Sequence, residues 1–172
     1  MIILGIETSC DETSIALVKN GTEVIENIVY SQIKAHKKYG GVLPELASRM
    51  HTEVIHTLLD TLWSKTGYSL KDIDALAVTF GPGLEGSLMV GIITAKTLSK
   101  LINKPLIGVN HLHGHIYANF IKTKTTPKAP SFPCICLIVS GGHTQLLKID
   151  DHFKIRCLGQ TRDDAAGEAF DK

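Results

Sequence analysis

The sequence predicts an α/β protein with a mixed sheet and helices on both faces, arranged as two duplicated lobes of which the second is incomplete. Three observations lead there. Three short apolar runs separated by turn signals open the chain, strand-like and helix-like segments then alternate, and the opening pattern returns near residue 132.

The opening runs span residues 1–8, 14–18 and 22–30. Asn20-Gly21 joins the second to the third, the strongest short-range hairpin signal available. In the third run Val24, Ile28 and Tyr30 share a face, so three antiparallel strands are expected. Residues 32–42 are polar and contain glycine, with Lys34, Lys37 and Lys38 among them. From Pro44 the period becomes helical: Leu43, Leu46, Ala47, Met50, Val54, Leu58, Leu59 and Leu62 form one stripe. Pro44 suits the first turn of that helix and Gly67 its exit.

Residues 74–80 read as a buried strand, Gly81-Pro82-Gly83 as a turn, and residues 84–101 as a second helix. A short strand over 106–109 and a short helix over 111–121 follow. Residues 122–131 hold two prolines and Lys122, Lys124 and Lys128 with no apolar period. They are the expected linker between an N-terminal lobe, 1–121, and a second lobe, 132–172. In the second lobe strands are expected over 133–140, 143–149 and 153–158, and a helix starts near Asp163. At an offset of 131 residues Thr13 meets Thr144 and Asn20 meets Asp151, so the strand and turn positions of the two lobes coincide. The duplication is similar to the actin-like ATPase architecture (ASKHA, ribonuclease H-like), which holds nucleotide between its lobes. The last helix stops within three turns, which reads as the front half of a longer protein.

Composition narrows the function. Eighteen Lys+Arg against 17 Asp+Glu give a net charge of +1, so nucleic-acid contact must come from local patches or partner proteins. The two small lysine groups read as solvated loops before they read as RNA contacts. No run of 18 apolar residues exists, and Glu7, Asp11 and Glu12 follow the apolar start too soon for a secretory signal. A soluble, cytoplasmic protein without membrane association is expected. Cys10, Cys134, Cys136 and Cys157 lack metal or redox spacing and are assigned no chemistry.

The most specific constellation is His111-Leu112-His113-Gly114-His115. On a helix His111 and His115 share a face and can chelate one divalent ion, zinc or iron, with a further donor. Leu112 stands where a zincin would place its glutamate base, so that chemistry fails. Gly81, Gly83 and Gly86 match Gly-x-Gly-x-x-Gly, but no acidic residue follows at the required distance; a tight turn with close helix packing through Gly86 and Gly91 is the better reading. Ser140-Gly141-Gly142-His143-Thr144 joins two strands, and its backbone amides can approach a phosphate or adenylate. Asp11 and Glu12 occupy the equivalent turn of the first lobe, where a carboxylate can orient a nucleophile or a metal-bound water, or simply face solvent.

Together these segments resemble one family closely. Residues 5–13 (GIETSCDET), 40–49 (GGVLPELASR), 81–84 (GPGL), the His111/His115 pair, 140–144 (SGGHT) and 163–172 (DDAAGEAFDK) look like the TsaD family, once described as glycoproteases. The resemblance runs in register over residues 1–172 and covers about the first half of the family's usual chain. It implies the actin-like two-lobed fold and transfer of a threonylcarbamoyl group from threonylcarbamoyl-AMP to tRNA. The acceptor is N6 of the adenosine 3′ of the anticodon, in tRNAs reading codons that begin with A.

By the same resemblance His111 and His115 are metal ligands, with iron ahead of zinc. Ile138, Val139, Ser140, Gly141 and Gly142 bind the adenylate, and Asp171 makes a further substrate contact. The family's third ligand, an Asp, and later nucleotide contacts fall beyond Lys172. TsaB and TsaE are the implied partners, with a homo-oligomer as a further possibility. Rival readings are a metallopeptidase, an actin-fold kinase and an inactive fragment that binds a partner of that system.

Overall fold

The computed structural model describes residues 1–122 and 129–171, the last without its side chain. Lys124, Lys128, most of the expected linker and the side chain of Asp171 therefore lie outside the described residues. Strands β1 (Ile2–Glu7), β2 (Glu12–Lys19) and β3 (Glu23–Ser31) form the predicted meander. β4 (Ala75–Gly81) and β5 (Leu106–Asn110) extend it to a five-stranded sheet ordered β3-β2-β1-β4-β5, parallel at β1-β4 and β4-β5. Asn20 and Gly21 both have positive φ, 52° and 78°, as the tight hairpin turn demands.

β3 departs from the expected alternation. A register shift at Leu17/Val18 pairs Leu17 with Glu26 but Val18 with Val24. Ile25 is thereby turned inward, and it packs with Ile28 and Tyr30 against the core in place of Val24. The polar stretch after β3 is also less irregular than its composition suggests, because it holds a one-turn helix, α1 (Ile33–His36), and a 3-10 turn over Lys37–Tyr39.

Two long helices, α2 (Pro44–Thr66) and α3 (Glu85–Ile102), cover one sheet face. α2 starts with Pro44 in its first turn and ends at Gly67, whose φ of 70° closes the helix. Its Ile55, Leu58, Leu59 and Leu62 pack on Leu4, Ile6, Ile15, Leu17, Leu76 and Val78 to form the main core. α3 sits close to β1 because Gly91 faces Thr8: a Cβ there would fall 2.5 Å from Thr8 Oγ1. The glycines of this segment thus serve close packing, as their spacing suggests.

Buried His51, on α2, holds the β1–β2 turn in place. Its Nε2 lies 2.9 Å from the carbonyl of Cys10 and its Nδ1 2.7 Å from the Thr13 hydroxyl. Since a carbonyl only accepts, Nε2 donates and Nδ1 accepts from Thr13.

α4 (His111–Ala118) follows β5 without a loop and reaches the second sheet, β6 (Cys134–Val139), β7 (Thr144–Asp151) and β8 (Lys154–Gln160), all antiparallel. Ile116 of α4 packs with Ile138, Leu147 and Ile149 in a second small core. Tyr117 adds a polar tie, its hydroxyl accepting from Phe153 N–H at 2.8 Å. α4 ends three residues earlier than its sequence suggests, because the Asn119 amide donates to the carbonyls of His115 and Ile116. The final helix, α5 (Ala166–Asp171), begins three residues later than expected. None of the four cysteines is in a disulfide. No helix among the described residues is long and apolar enough to cross a membrane.

Candidate functional site

Asn110 ends β5 and caps α4, its side-chain oxygen accepting from Leu112 N–H at 2.9 Å and His113 N–H at 3.3 Å. The cap places His111 in the first turn, above the carboxyl end of β1, and His115 one turn on. Their rings meet edge to face with centroids 4.5 Å apart, and their Nε2 atoms are 3.1 Å apart. Two nitrogens bound to one ion at about 2.0–2.1 Å, with an angle between the octahedral and tetrahedral values, stand about 2.8–3.4 Å apart. The pair fits a shared divalent ion. Among the described residues no group of three His, Cys, Asp or Glu side chains completes such a site.

The neighbour of the pair is Glu7, which the motif reading passed over. Its carboxylate accepts from His111 Nδ1 at 3.1 Å and from the Thr79 hydroxyl at 2.6 Å, and from the backbone N–H of Ser9. Ser9 Oγ also lies 3.1 Å from His111 Nδ1. Burial alone would raise the Glu7 carboxyl; hydrogen bonds from His111, Ser9 and Thr79 outweigh it and bring its pKa down to about 2. A sequence signal existed: Glu7 is a lone carboxylate at the carboxyl end of an apolar strand, where open α/β sheets place ligands.

Asp11 and Glu12, the carboxylates singled out in the sequence, stand apart from this cluster. Asp11 is half-buried in the β1–β2 turn, its carbonyl accepting from Gln32 N–H at 2.9 Å, and Glu12 is exposed at the start of β2. Neither has a hydrogen bond to His111 or His115 among the described residues.

The Ser140–Thr144 turn is tightly built. Ser140 N–H donates to the His143 carbonyl at 2.8 Å, and His143 N–H donates to Ser140 Oγ at 3.0 Å. Gly141 and Gly142 are exposed, with open space where side chains would stand. The start of α5 closes on the turn: Ala166 N–H donates to Thr144 Oγ1 at 2.8 Å and Gly167 N–H to the Ser140 carbonyl at 3.2 Å. Ile138 is buried and Val139 exposed on the strand leading in. Desolvation, then the neighbouring His111, hold the pKa of His115 below the ordinary 6.5; Glu7 opposes them and His143 adds to them.

The sequence profile of TsaD, tRNA N6-adenosine threonylcarbamoyltransferase, matches residues 23–172. The chain belongs to the TsaD family. Proteins of that name from Dictyoglomus turgidum and Bacillus subtilis are 55% and 52% identical to it over 172 residues. One from Clostridium kluyveri is 57% identical over 170 residues. This TsaD-family chain is covered at 99–100% by these alignments, yet it spans only 48–50% of the relatives' own length.

Solved structures add the fold. YeaZ from Pseudomonas aeruginosa matches with a TM-score of 0.54 at 17% identity, over 94% of this chain and 68% of its own. The activator of 2-hydroxyisocaproyl-CoA dehydratase from Clostridium difficile, solved with bound ADPNP, matches with a TM-score of 0.51 at 18% identity, over 95% of this chain and 46% of its own. Both likenesses support the α/β architecture read from the repeat.

Proposed function

We propose that this chain supplies the metal-binding and adenylate-binding half of a tRNA N6-adenosine threonylcarbamoyltransferase. The threonylcarbamoyl group of threonylcarbamoyl-AMP would pass to N6 of the adenosine 3′ of the anticodon, in cytoplasmic tRNAs reading codons that begin with A. The carrying observation is the 3.1 Å approach of the His111 and His115 Nε2 atoms, in a chain that also holds an open glycine turn between β6 and β7. A divalent ion on this pair, iron ahead of zinc, would supply Lewis acidity.

The rest falls to the chain's own residues. The Gly141 and Gly142 amides, free of side chains, hold the AMP phosphate, and Ile138, Val139 and Ser140 line its approach. Asp171 is the further substrate contact in this reading. Holding adenylate and acceptor adenosine together supplies much of the rate. No covalent intermediate is proposed: Ser9 Oγ, 3.1 Å from His111 Nδ1, meets a nitrogen that already faces the Glu7 carboxylate.

The partners proposed are tRNA and the TsaB and TsaE proteins. An apolar groove of about 400 Å³ between α2 and α3, lined by Ile55, Leu59, Met89, Val90, Ile93 and Leu98, suits TsaB. That groove also favours a second reading, in which this half alone is a partner-binding module. In the full-length protein, H111A with H115A is expected to abolish metal content and tRNA modification together. Modification that persists in metal-free protein overturns the transferase mechanism. Co-purification with TsaB without metal or adenylate binding favours the module.

A further inference from the structure

Glu7 has two carboxylate oxygens and three donors. Oε1 takes the Ser9 backbone N–H, while Oε2 takes the Thr79 hydroxyl at 2.6 Å and faces His111 Nδ1 at 3.1 Å. An ionised carboxylate only accepts, so His111 Nδ1 must carry the proton. A neutral imidazole protonated at Nδ1 has its lone pair on Nε2, the atom that faces His115 Nε2 at 3.1 Å.

We infer that Glu7 is a positioning residue: it selects the Nδ1–H tautomer of His111 and aims its Nε2 lone pair at the ion. Ser9, in the β1–β2 turn just after Glu7, and Thr79, near the end of β4, hold the carboxylate. The inference rests on the metal reading above and deepens it, because a ligand whose other nitrogen is tied to a carboxylate is both oriented and made more basic.

Glu7→Gln is the decisive variant. If the amide oxygen keeps the Ser9 N–H, the amide NH2 faces His111 Nδ1 and forces it to accept, moving the proton to Nε2. Long-range 1H–15N correlation spectra of the metal-free protein are expected to show His111 as Nδ1–H in the parent and Nε2–H in the variant. Titration with Co2+ alone is expected to show affinity weakened about 10–100-fold. An unchanged tautomer with unchanged Co2+ affinity in Glu7→Gln, alongside lost Co2+ binding in His111→Ala, overturns the inference and spares the metal reading. Retained Co2+ binding in His111→Ala overturns the metal reading itself. Should Glu7→Gln fail to fold, Thr79→Val keeps the carboxylate but removes one of its holders; it is expected to raise the Nε2–H population of His111, and no change there overturns the inference.

Discussion

Gly167 lies against Gly141 so closely that a Cβ on Gly167 would stand 2.8 Å from Gly141 Cα and 2.9 Å from its nitrogen. The Ser140 carbonyl is also 2.9 Å away. These contacts are with backbone, which cannot swing aside as a side chain does. The first turn of α5 and the glycine turn are thus one unit, joined by the Gly167 and Ala166 N–H donors.

Gly167→Ala is therefore expected to push α5 off the turn. Overpacking of this kind costs about 1–3 kcal/mol. Calorimetry should show weakened adenylate binding, with Co2+ binding at the histidine pair unchanged.

The cap of α4 makes a second test. Asn110→Ala removes the acceptor for Leu112 and His113 N–H, at a cost of about 0.5–2 kcal/mol. Because the cap orients His111, metal affinity should fall with stability, whereas Asn119→Ala at the other end should cost stability with a smaller loss of affinity.

His51 predicts an acid-side weakness. Burial lowers its pKa from the ordinary 6.5, against the raising effects of the Cys10 carbonyl, Glu7 and Asp11. The unfolded chain then binds more protons than the folded one between the two values. The contribution is full above about 6.5 and is lost as pH falls below it. Urea midpoints measured from pH 8 to pH 5 should decline in the parent, and less steeply in His51→Gln.

Leu62 is fully buried in the main core, so Leu62→Ala is expected to cost about 2–5 kcal/mol in chemical denaturation. Ile93, 55% exposed at the α2–α3 groove, should behave oppositely. Ile93→Glu is expected to leave the denaturation midpoint within about 0.5 kcal/mol of the parent. It should abolish association with TsaB in sedimentation runs if the groove is the docking face.

Local pattern determined a great deal here by itself. Alternation and Asn20-Gly21 specify the meander, the stripe from Leu46 to Leu62 specifies α2, and the four-residue spacing of His111 and His115 specifies a shared face. Each is encoded within a few residues, which is the range over which backbone periodicity and turn chemistry act. Tertiary structure decided the rest. Whether Val24 or Ile25 enters the core depends on a bulge in the pairing with β2, invisible in the alternation of β3 alone. That Glu7 meets His111 across 104 residues depends on the order β1-β4-β5, which brings the ends of three strands side by side. Asp11 and Glu12 stand in the more conspicuous motif, but from the β1–β2 turn and the start of β2 they make no hydrogen bond to either histidine among the described residues. Strand order is a property of the folded sheet, and it chose the carboxylate.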